Sequence, residues 1–460
     1  MTFPSRWTCA LVALLAAQAG VLTACGSVEQ ASPASESAFT TITGPGSQNV
    51  EALEFTNDGG YVVGGTFQGD TRIAGVDLAA SENGDLFIAK MVSNRQDVEW
   101  VATARAQFGI DLGGIAVLDD GSIMLTGSIG GQGVFGSLAV SNIAQDWDGF
   151  IAKLDSAGNW VWVQNAGGPG YDTGTDITAT TDGDVIVVGM FTLDATFGGT
   201  KLRSTGDGYD AYVAKIDGSG TWRWVLAGGG TGRDGAVSVS GTDDGGAYVA
   251  GGFDADTVIG TTSLTRVDGM TDAFVAKVST DGTWSWATAF SGHNYDFATA
   301  TVASGDGGVI VALRVEDTVR YGNTGYAGSM RFAKIDRSGL VVWRTESVDS
   351  DSNKVLDLVR HEDGYVGSGW FSDELALGDE TRTALDRRDM MLVSISDAGE
   401  LSWLGSFGGF YADEATQIGV DRNGALLVAG AHQNAVVIDG SVVRSTDETG
   451  DVVIFPCCTR

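Results

Sequence analysis

The sequence predicts an all-β fold made of seven similar antiparallel sheets, and three observations support this prediction. A 15-residue pattern recurs along the chain, clearly at 148–162, 210–224 and 272–286 and more weakly at 85–100, 329–343 and 389–403. The last Trp of successive copies recurs at intervals of 62, 62, 62, 57 and 60 residues, and such a period indicates a repeat architecture. The 460 residues include 68 Gly and only 5 Pro, which suits many tight turns between short strands.

Each repeat contains four candidate strands. In the third repeat, 175–191 predicts two strands around an Asp-Gly turn, and 210–224 predicts a hairpin. Asp-Gly and Asn-Gly pairs supply the positive φ angles that tight turns require. The strand after each turn is almost entirely apolar, which is typical of a strand buried on both faces. The turn occurs seven times, at Asp58-Gly59, Asp120-Gly121, Asp182-Gly183, Asp244-Gly245, Asp306-Gly307, Asp363-Gly364 and Asn423-Gly424.

Seven antiparallel four-stranded sheets, each covered on both faces, make a seven-bladed β-propeller. We assign residues 38–456 to this domain, at about 60 residues per blade. The final repeat ends at 450–456 without a Trp strand, whereas residues 38–42 (AFTTI) begin the domain in the position of that strand. We therefore expect the N-terminal strand to close the ring as the outermost strand of the last blade, because this removes two exposed sheet edges.

Two side-chain series of the repeat are predicted to be structural. Trp222 and Trp224 lie two positions apart, so the pattern predicts that both point to the same face and pack on an adjacent blade. A Lys ends the hairpin strand, and we expect it to pair with acids of its blade. This series is Lys90, Lys153, Lys215, Lys277 and Lys334.

The repeat resembles the bacterial β-propeller repeat family of secreted and surface proteins. Its units have the form GG-x-G-x-D, then DG followed by V-x-V-x-G, then D-x-F-V-A-K. The resemblance covers nearly all of 38–456 and implies a propeller in an extracytoplasmic protein, without catalytic residues to carry over. The matching residues of the third repeat are Gly167, Gly168, Gly170, Asp172, Asp182, Gly183, Gly189, Asp210 and Lys215.

Residues 1–24 contain one Arg and the apolar run CALVALLAAQAGVLTA, which is typical of a signal peptide rather than a membrane-spanning helix. The end of this run, Leu22 to Cys25, resembles the lipobox of bacterial lipoproteins. The resemblance implies cleavage before Cys25 and its acylation, with palmitate or similar chains, as a membrane anchor on the outer membrane or cell surface. The alternative is an ordinary signal peptide with an incidental Cys. Residues 25–37 then form the lipidated Cys and a flexible tether, and 457–460 form a Cys-Cys tail.

The net charge of −32 at pH 7 excludes some classes of partner. Loss of residues 1–24 removes one Arg and no acid, which leaves −33. Such a surface repels nucleic acid and anionic headgroups and favours solubility or cation binding. We expect no nucleic-acid partner and a monomer that contacts the membrane only through its anchor.

A polar series precedes the innermost strand of each blade, ten or eleven residues before the turn Gly. One interpretation is that each side chain caps backbone N–H groups within its own blade. The other is a ring at the channel mouth that holds Ca²⁺ or another hard cation, because such ions prefer oxygen ligands. No other cofactor is expected. The series is Asn49, Asp111, Asp172, Asp234, Asp296, Asn353 and Asp413.

Three functions remain open from the sequence. The first is a lipid-anchored cell-envelope propeller that binds a protein or glycan on its connector-loop face without catalysis. The second is a propeller lyase or hydrolase that acts on a glycan or a small secreted molecule, and the third is a calcium-dependent structural or adhesive surface protein. The fold cannot decide between them, because propellers host many activities, and the sequence indicates no catalytic residues.

Overall fold

A computed structural model of the chain describes residues 39–92, 97–141, 146–267, 270–292, 295–315, 329–345, 353–438, 440–445 and 450–457. In this part of the chain all regular secondary structure is β, in 40 strands. None of these residues belongs to a helix that could span a membrane. The predicted signal peptide, Cys25 and Cys458 lie outside the described residues.

The strands follow the repeat in chain order. Before the first blade comes β1 (Thr40–Thr43). Blade 1 contains β2 (Gln48–Phe55), β3 (Tyr61–Phe67), β4 (Thr71–Ile73), β5 (Val76–Leu78), β6 (Asp85–Met91) and β7 (Val98–Ala106). Blade 2 contains β8 (Ile110–Val117), β9 (Ile123–Gly130), β10 (Gln132–Phe135), β11 (Leu138–Ser141), β12 (Trp147–Leu154) and β13 (Trp160–Gly167). Blade 3 contains β14 (Thr173–Ala179), β15 (Val185–Thr192), β16 (Asp194–Phe197), β17 (Thr200–Arg203), β18 (Tyr209–Ile216) and β19 (Trp222–Gly230).

The remaining blades continue this order. Blade 4 contains β20 (Asp234–Gly241), β21 (Ala247–Phe253), β22 (Thr257–Ile259), β23 (Thr262–Leu264), β24 (Asp272–Val278) and β25 (Trp284–Phe290). Blade 5 contains β26 (Asp296–Ala303), β27 (Val309–Val315), β28 (Ser329–Ile335) and β29 (Val341–Arg344). Blade 6 contains β30 (Asn353–His361), β31 (Gly364–Phe371), β32 (Glu374–Leu377), β33 (Glu380–Thr383), β34 (Asp389–Ser396) and β35 (Leu401–Phe410). Blade 7 contains β36 (Asp413–Val420), β37 (Leu426–His432), β38 (Ala435–Ile438), β39 (Ser441–Arg444) and β40 (Asp451–Cys457).

The seven-bladed β-propeller predicted from the repeat is confirmed. In each blade the first strand pairs with the second, the second with the third and the third with the outermost, all antiparallel. Each innermost strand also contacts the innermost strands of both neighbouring blades, including β2 with β36, so the blades close a ring. In blade 7 the outermost position is taken by β1, which pairs antiparallel with β40. Strand β40 continues through the disulfide-bonded Cys457.

Wherever the structure describes the long connector between the second and third strands, this connector contains two strands beyond the four that the sequence predicts for each repeat. It forms a short hairpin that pairs with the outermost strand of the preceding blade and extends that sheet to six strands. In this way β4–β5 adds to β1, β10–β11 to β7, β16–β17 to β13, β22–β23 to β19 and β38–β39 to β35. The hairpin β32–β33 forms a separate two-stranded sheet. The hairpins cover sheet edges that would otherwise be open.

The apolar core lies between the blades. Buried side chains of the described residues form seven clusters, and each cluster combines residues from two neighbouring blades. The apolar strands predicted to be buried on both faces are β3, β9, β15 and their counterparts. For example, all side chains of β9 and β21 are buried. Each sheet therefore depends on both of its neighbours for burial.

The Trp pair packs between blades, but our prediction that both Trp side chains share a face is wrong. A bulge in the ladder places Trp224 opposite Lys215 and Trp222 opposite Ile216, so the two rings project to opposite faces. Trp224 Nε1 donates to the backbone carbonyl of Thr280 in the following blade at 2.9 Å. Trp222 Nε1 donates to the side chain of Gln164 in the preceding blade at 3.0 Å. Each pair thus joins three blades.

The predicted pairing of the hairpin Lys with acids of its blade is confirmed for four of the five residues, whereas Lys153 donates to the backbone carbonyl of Gly218. Lys215 lies 2.6 Å from Asp182, and Lys277 lies 2.8 Å from Asp244. The hydrogen bond from Lys277 lowers the pKa of Asp244 to about 2. These pairs lie at the end of the blades opposite the connectors, so they stabilise the turn end and leave the connector end without this series of cations.

We predict that deletion of residues 38–43 destabilises the propeller. The deletion removes β1, exposes the edges of β40 and β4, and removes Ile42, which is completely buried. Loss of a buried Ile side chain alone costs about 2–5 kcal/mol, so we expect the melting temperature to fall by at least several degrees and aggregation to increase. Deletion of residues 27–32 from the predicted tether is the control. An unchanged melting curve after deletion of 38–43 would contradict closure by this strand.

Candidate functional site

Five members of the predicted polar series are buried within the blades and do not face the channel. Four of them begin an innermost strand and lie opposite the last residue of the second strand, as Asp234 lies opposite Phe253. The fifth, Asp172, comes one residue before β14. None is more than 2% exposed to solvent. These five residues are Asp172, Asp234, Asp296, Asn353 and Asp413.

These side chains cap backbone N–H groups, but the donors lie in or just after strands of the preceding blade, so the prediction of capping within one blade is wrong in this detail. Asp172 accepts from the backbone N–H of Gly168 at 2.7 Å, Asp234 from Gly230 at 2.8 Å, and Asp413 from Gly409 at 2.8 Å. Asn353 Oδ1 accepts from the N–H of Met330 at 2.7 Å. In six blades an Asp at or beside the start of the third strand is buried as well. Two of these residues cap their own connectors, with Asp210 accepting from the backbone N–H of Thr205 and Asp389 from that of Leu385.

Asn49 and Asp111 do not belong structurally to this series. Gln48 lies opposite Phe67 and Ile110 lies opposite Ile129, which are the positions taken by Asp and Asn in the other blades. Asn49 and Asp111 come one residue later and line the channel. A shift of one residue reverses the face on which a strand side chain lies, so the seven residues do not form one ring.

The position of Asn49 and Asp111 defines a rim series, one residue on each innermost strand. Asn49, Asp111, Thr173 and Glu414 of this series line a central channel of about 1080 Å³. The repeat is lost at this position, although the buried position beside it is repeated. A surface that differs from blade to blade can recognise an asymmetric ligand. The rim series is Asn49, Asp111, Thr173, Gly235, Phe297, Lys354 and Glu414.

A bulge interrupts all seven innermost strands at the same place, two residues after the rim series. The extra residue of each bulge lines the channel. Bulges redirect a side chain and end regular pairing locally, so the channel wall is irregular at this level of every blade. The bulge residues are Glu51, Gly113, Thr175, Val237, Thr299, Leu356 and Thr416.

The residue after the bulge joins neighbouring blades. Asp176 accepts from the backbone N–H of Val239 in the next blade at 2.7 Å. Asp357 accepts in the same way from Ile418 at 3.0 Å. Sequence reasoning missed both carboxylates, although an Asp inside an otherwise apolar strand was an available signal, because such a residue requires a partner.

Carboxyl groups in the channel have raised pKa values. Burial raises the pKa of Glu51 to about 7, and repulsion by Asp111 adds to the effect. Glu54 is open to the lumen, yet the surrounding walls and the carboxylates of Asp357 and Asp176 raise its pKa to about 8. Burial likewise raises the pKa of Asp176 to about 7 and that of Asp357 to about 6. Channel-lining carboxyl groups of blades 1, 3 and 6 can therefore hold protons near neutral pH. We call Glu51 and Asp111, which line the channel on blades 1 and 2, the acidic wall.

The described residues contain no group of three or more His, Cys, Asp or Glu side chains placed to hold a metal ion. The five buried members of the polar series lie in separate blades. Calcium binding by the series stays a prediction, and the geometry described above favours capping instead.

No family model and no curated protein matches the chain. Among solved structures, the WD40 domain of Neurospora crassa Pan2 is similar with a TM-score of 0.45 and 9% identity, over 92% of this chain and 97% of that one. A structure of YCF48 bound to D1 peptide has a TM-score of 0.42 and 8% identity, over 92% and 96%. The polysaccharide lyase Uly1 has a TM-score of 0.46 and 7% identity, over 88% and 89%. Similarities this weak carry no function across.

We predict that Asp234→Asn reduces the loss of stability that occurs as the pH rises from about 4 to 7. Burial raises the pKa of Asp234 from 3.8 to about 7, so the folded state retains a proton that the unfolded state releases. The stability that this proton provides is lost as the pH rises from about 4 to 7. An amide keeps an acceptor for Gly230 and carries no charge, as Asn353 does in blade 6.

At about pH 8 we expect the free energy of unfolding of the variant, measured by denaturant titration, to exceed that of the wild type by on the order of 1 kcal/mol. Near pH 5 this advantage should be lost. The control is Asp119→Asn, which changes an exposed turn acid in blade 2. Identical pH dependence in the wild type and Asp234→Asn would contradict the prediction.

Proposed function

We propose that this protein is a non-catalytic binding module, held at the cell envelope by a lipid anchor, that binds a protein or glycan at the connector end of its channel. The rim series carries the proposal. Where the fold needs a residue, as at the buried Asp series, the repeat supplies it in most blades, whereas the adjacent rim position differs in every blade. Variation against a repeated framework is expected where recognition, and not stability, governs the residue.

Exposed apolar side chains at the same end support this proposal. The connectors that enter the innermost and third strands lie at one end of the blades, and several of them expose aromatic or long aliphatic side chains. Aromatic side chains, Tyr above all, are enriched among the residues that contribute most to binding at protein interfaces and can stack on sugar rings, and the aliphatic ones add apolar contact area. They are Phe108, Tyr171, Leu193, Val267, Met270, Leu385, Phe410 and Tyr411.

The anchor rests on the sequence from Leu22 to Cys25, with the tether 26–37 as the spacer. Several acyl chains, at about 0.8 kcal/mol per buried methylene, hold a protein stably on a membrane. A propeller on such a tether is free to present its connector end to a partner in the envelope.

A lyase or hydrolase is the second candidate, and Glu51 favours it. Its carboxyl accepts a hydrogen bond from Thr66 Oγ1 at 3.1 Å and has a pKa of about 7, which suits general acid–base catalysis near neutral pH. The binding experiment below separates the two candidates, since an enzyme would convert the captured ligand and Glu51→Gln would stop the conversion.

We predict that Asp111→Ala removes ligand binding and that Asp119→Ala does not. Both acids belong to blade 2 and are exposed, but Asp111 lines the channel mouth and Asp119 lies in the turn at the opposite end. The detergent-solubilised full chain, carrying an affinity tag, is incubated with an envelope extract, and bound protein and glycan are identified by mass spectrometry. Equal recovery on the two variants would place the ligand elsewhere or show that none is bound.

We predict that Cys25→Ser releases the protein from the membrane fraction or leaves an uncleaved precursor. A hydroxyl group in place of the thiol cannot receive the thioether-linked lipid of a lipoprotein. The fraction that sediments with membranes is measured by immunoblot, with Cys9→Ser as the matched control within the signal peptide. A processed Cys25→Ser protein that still sediments like the wild type would refute the anchor.

A further inference from the structure

A group of cations lies at the channel mouth on the side of blades 5 and 6. Lys354 belongs to the rim series, and its strand register places it directly opposite Trp370. Arg388 lies with its guanidinium carbon 4.0 Å from the centre of the Trp370 ring. Arg314 is close enough to repel Lys354, and it lies opposite Phe297 of the rim series. This arrangement is specific to two blades of a protein with a net charge of −32.

Arg388 of this group is already paired with a carboxylate of the next blade. Glu414 of blade 7 forms an ion pair with Arg388. Within the described part of the chain, the Lys354 ammonium forms no ion pair, whereas Lys90, Lys215, Lys277 and Lys334 each pair with a turn Asp. Partial burial and the neighbouring Arg314 and Arg388 lower the pKa of Lys354. A bound anion would offset this repulsion.

We propose that Arg314, Lys354 and Arg388 form a subsite for a single carboxylate of the ligand that enters the channel mouth. The inference deepens the proposed binding function and rests on it. The Glu414 carboxylate, already bound by Arg388, is an example of the chemistry that the cluster accepts. Arg presents a planar set of donors that matches a carboxylate, and Lys adds a compact charge.

The remainder of the ligand is uncharged or positively charged. Glu51 and Asp111 form the acidic wall across the channel from this subsite, and the whole protein repels polyanions. A ligand with one carboxylate and an otherwise neutral body can form favourable contacts on both sides. Its carboxylate binds the cations of the subsite, and its body can donate hydrogen bonds to the acidic wall. A polyanionic chain would be attracted by the cations of the subsite and repelled by the acidic wall.

The test measures the thermal midpoint of the purified full chain with sodium galacturonate, sodium acetate and galactose, at equal ionic strength set with NaCl. Galacturonate and galactose share a pyranose ring and differ in the carboxylate. We expect a saturable rise with galacturonate, a smaller rise with acetate, and none with galactose. Lys354→Gln should weaken the apparent affinity for galacturonate about tenfold, the usual effect of losing a charge-assisted hydrogen bond.

Lys201→Gln is the matched control, because it removes the same charge from an exposed hairpin strand in blade 3. The proposal is overturned if neither carboxylate raises the midpoint above the NaCl series, or if Lys354→Gln and Lys201→Gln respond equally. A larger effect of polygalacturonate per carboxylate than of galacturonate would also overturn it, since a polyanion site would then be present. Loss of the captured ligand in Asp111→Ala, without any effect of Lys354→Gln on the anion response, would preserve the proposed function and reject the subsite.

Discussion

The packing of each sheet against two neighbours is the interaction on which the rest of the structure depends. No blade can bury its apolar strands alone, because the seven buried clusters all lie between blades. The bulge in the outermost strand adds to this coupling, since it sends one Trp of each pair forward and the other back. The connector hairpins couple neighbouring blades as well, because they pair with the outermost strand of the preceding sheet. Stability is therefore shared around the ring, as in other repeat proteins.

This shared framework explains why the acids of the repeat are buried. The connector entering each innermost strand carries backbone N–H groups that no neighbouring strand can satisfy, and a carboxylate or amide is the acceptor that fits. Burial of a carboxyl group is costly unless it is hydrogen-bonded or protonated, and the pKa values of Asp172, Asp234 and Asp413, at about 7, 7 and 8, reflect that cost. The repeated Asp residues are thus part of the architecture.

Recognition is left to positions that the framework does not constrain. The rim series lies beside the buried Asp series, where neither blade packing nor connector capping determines the residue. Its acidic members, Asp111 and Glu414, lie on blades 2 and 7 and its Lys on blade 6, so the charge of the channel mouth differs from blade to blade. Seven equivalent blades would give a symmetric mouth. The departures from the repeat are what allow an asymmetric ligand to be bound in one orientation.

The sequence by itself determined the fold, because the period of about 62 residues, the Asp-Gly turns and the apolar strands are all local signals that agree with one another. It also indicated capping as one interpretation of the buried Asp series. Only the tertiary structure decided that Asn49 and Asp111 face the channel, that Trp222 and Trp224 point to opposite faces, and that the connectors form hairpins on the preceding blade. Each of these depends on a bulge or on pairing between strands distant in sequence. A pattern of period two does not record an extra residue in one strand, and that one residue decides whether a side chain is buried in a blade or exposed to a ligand.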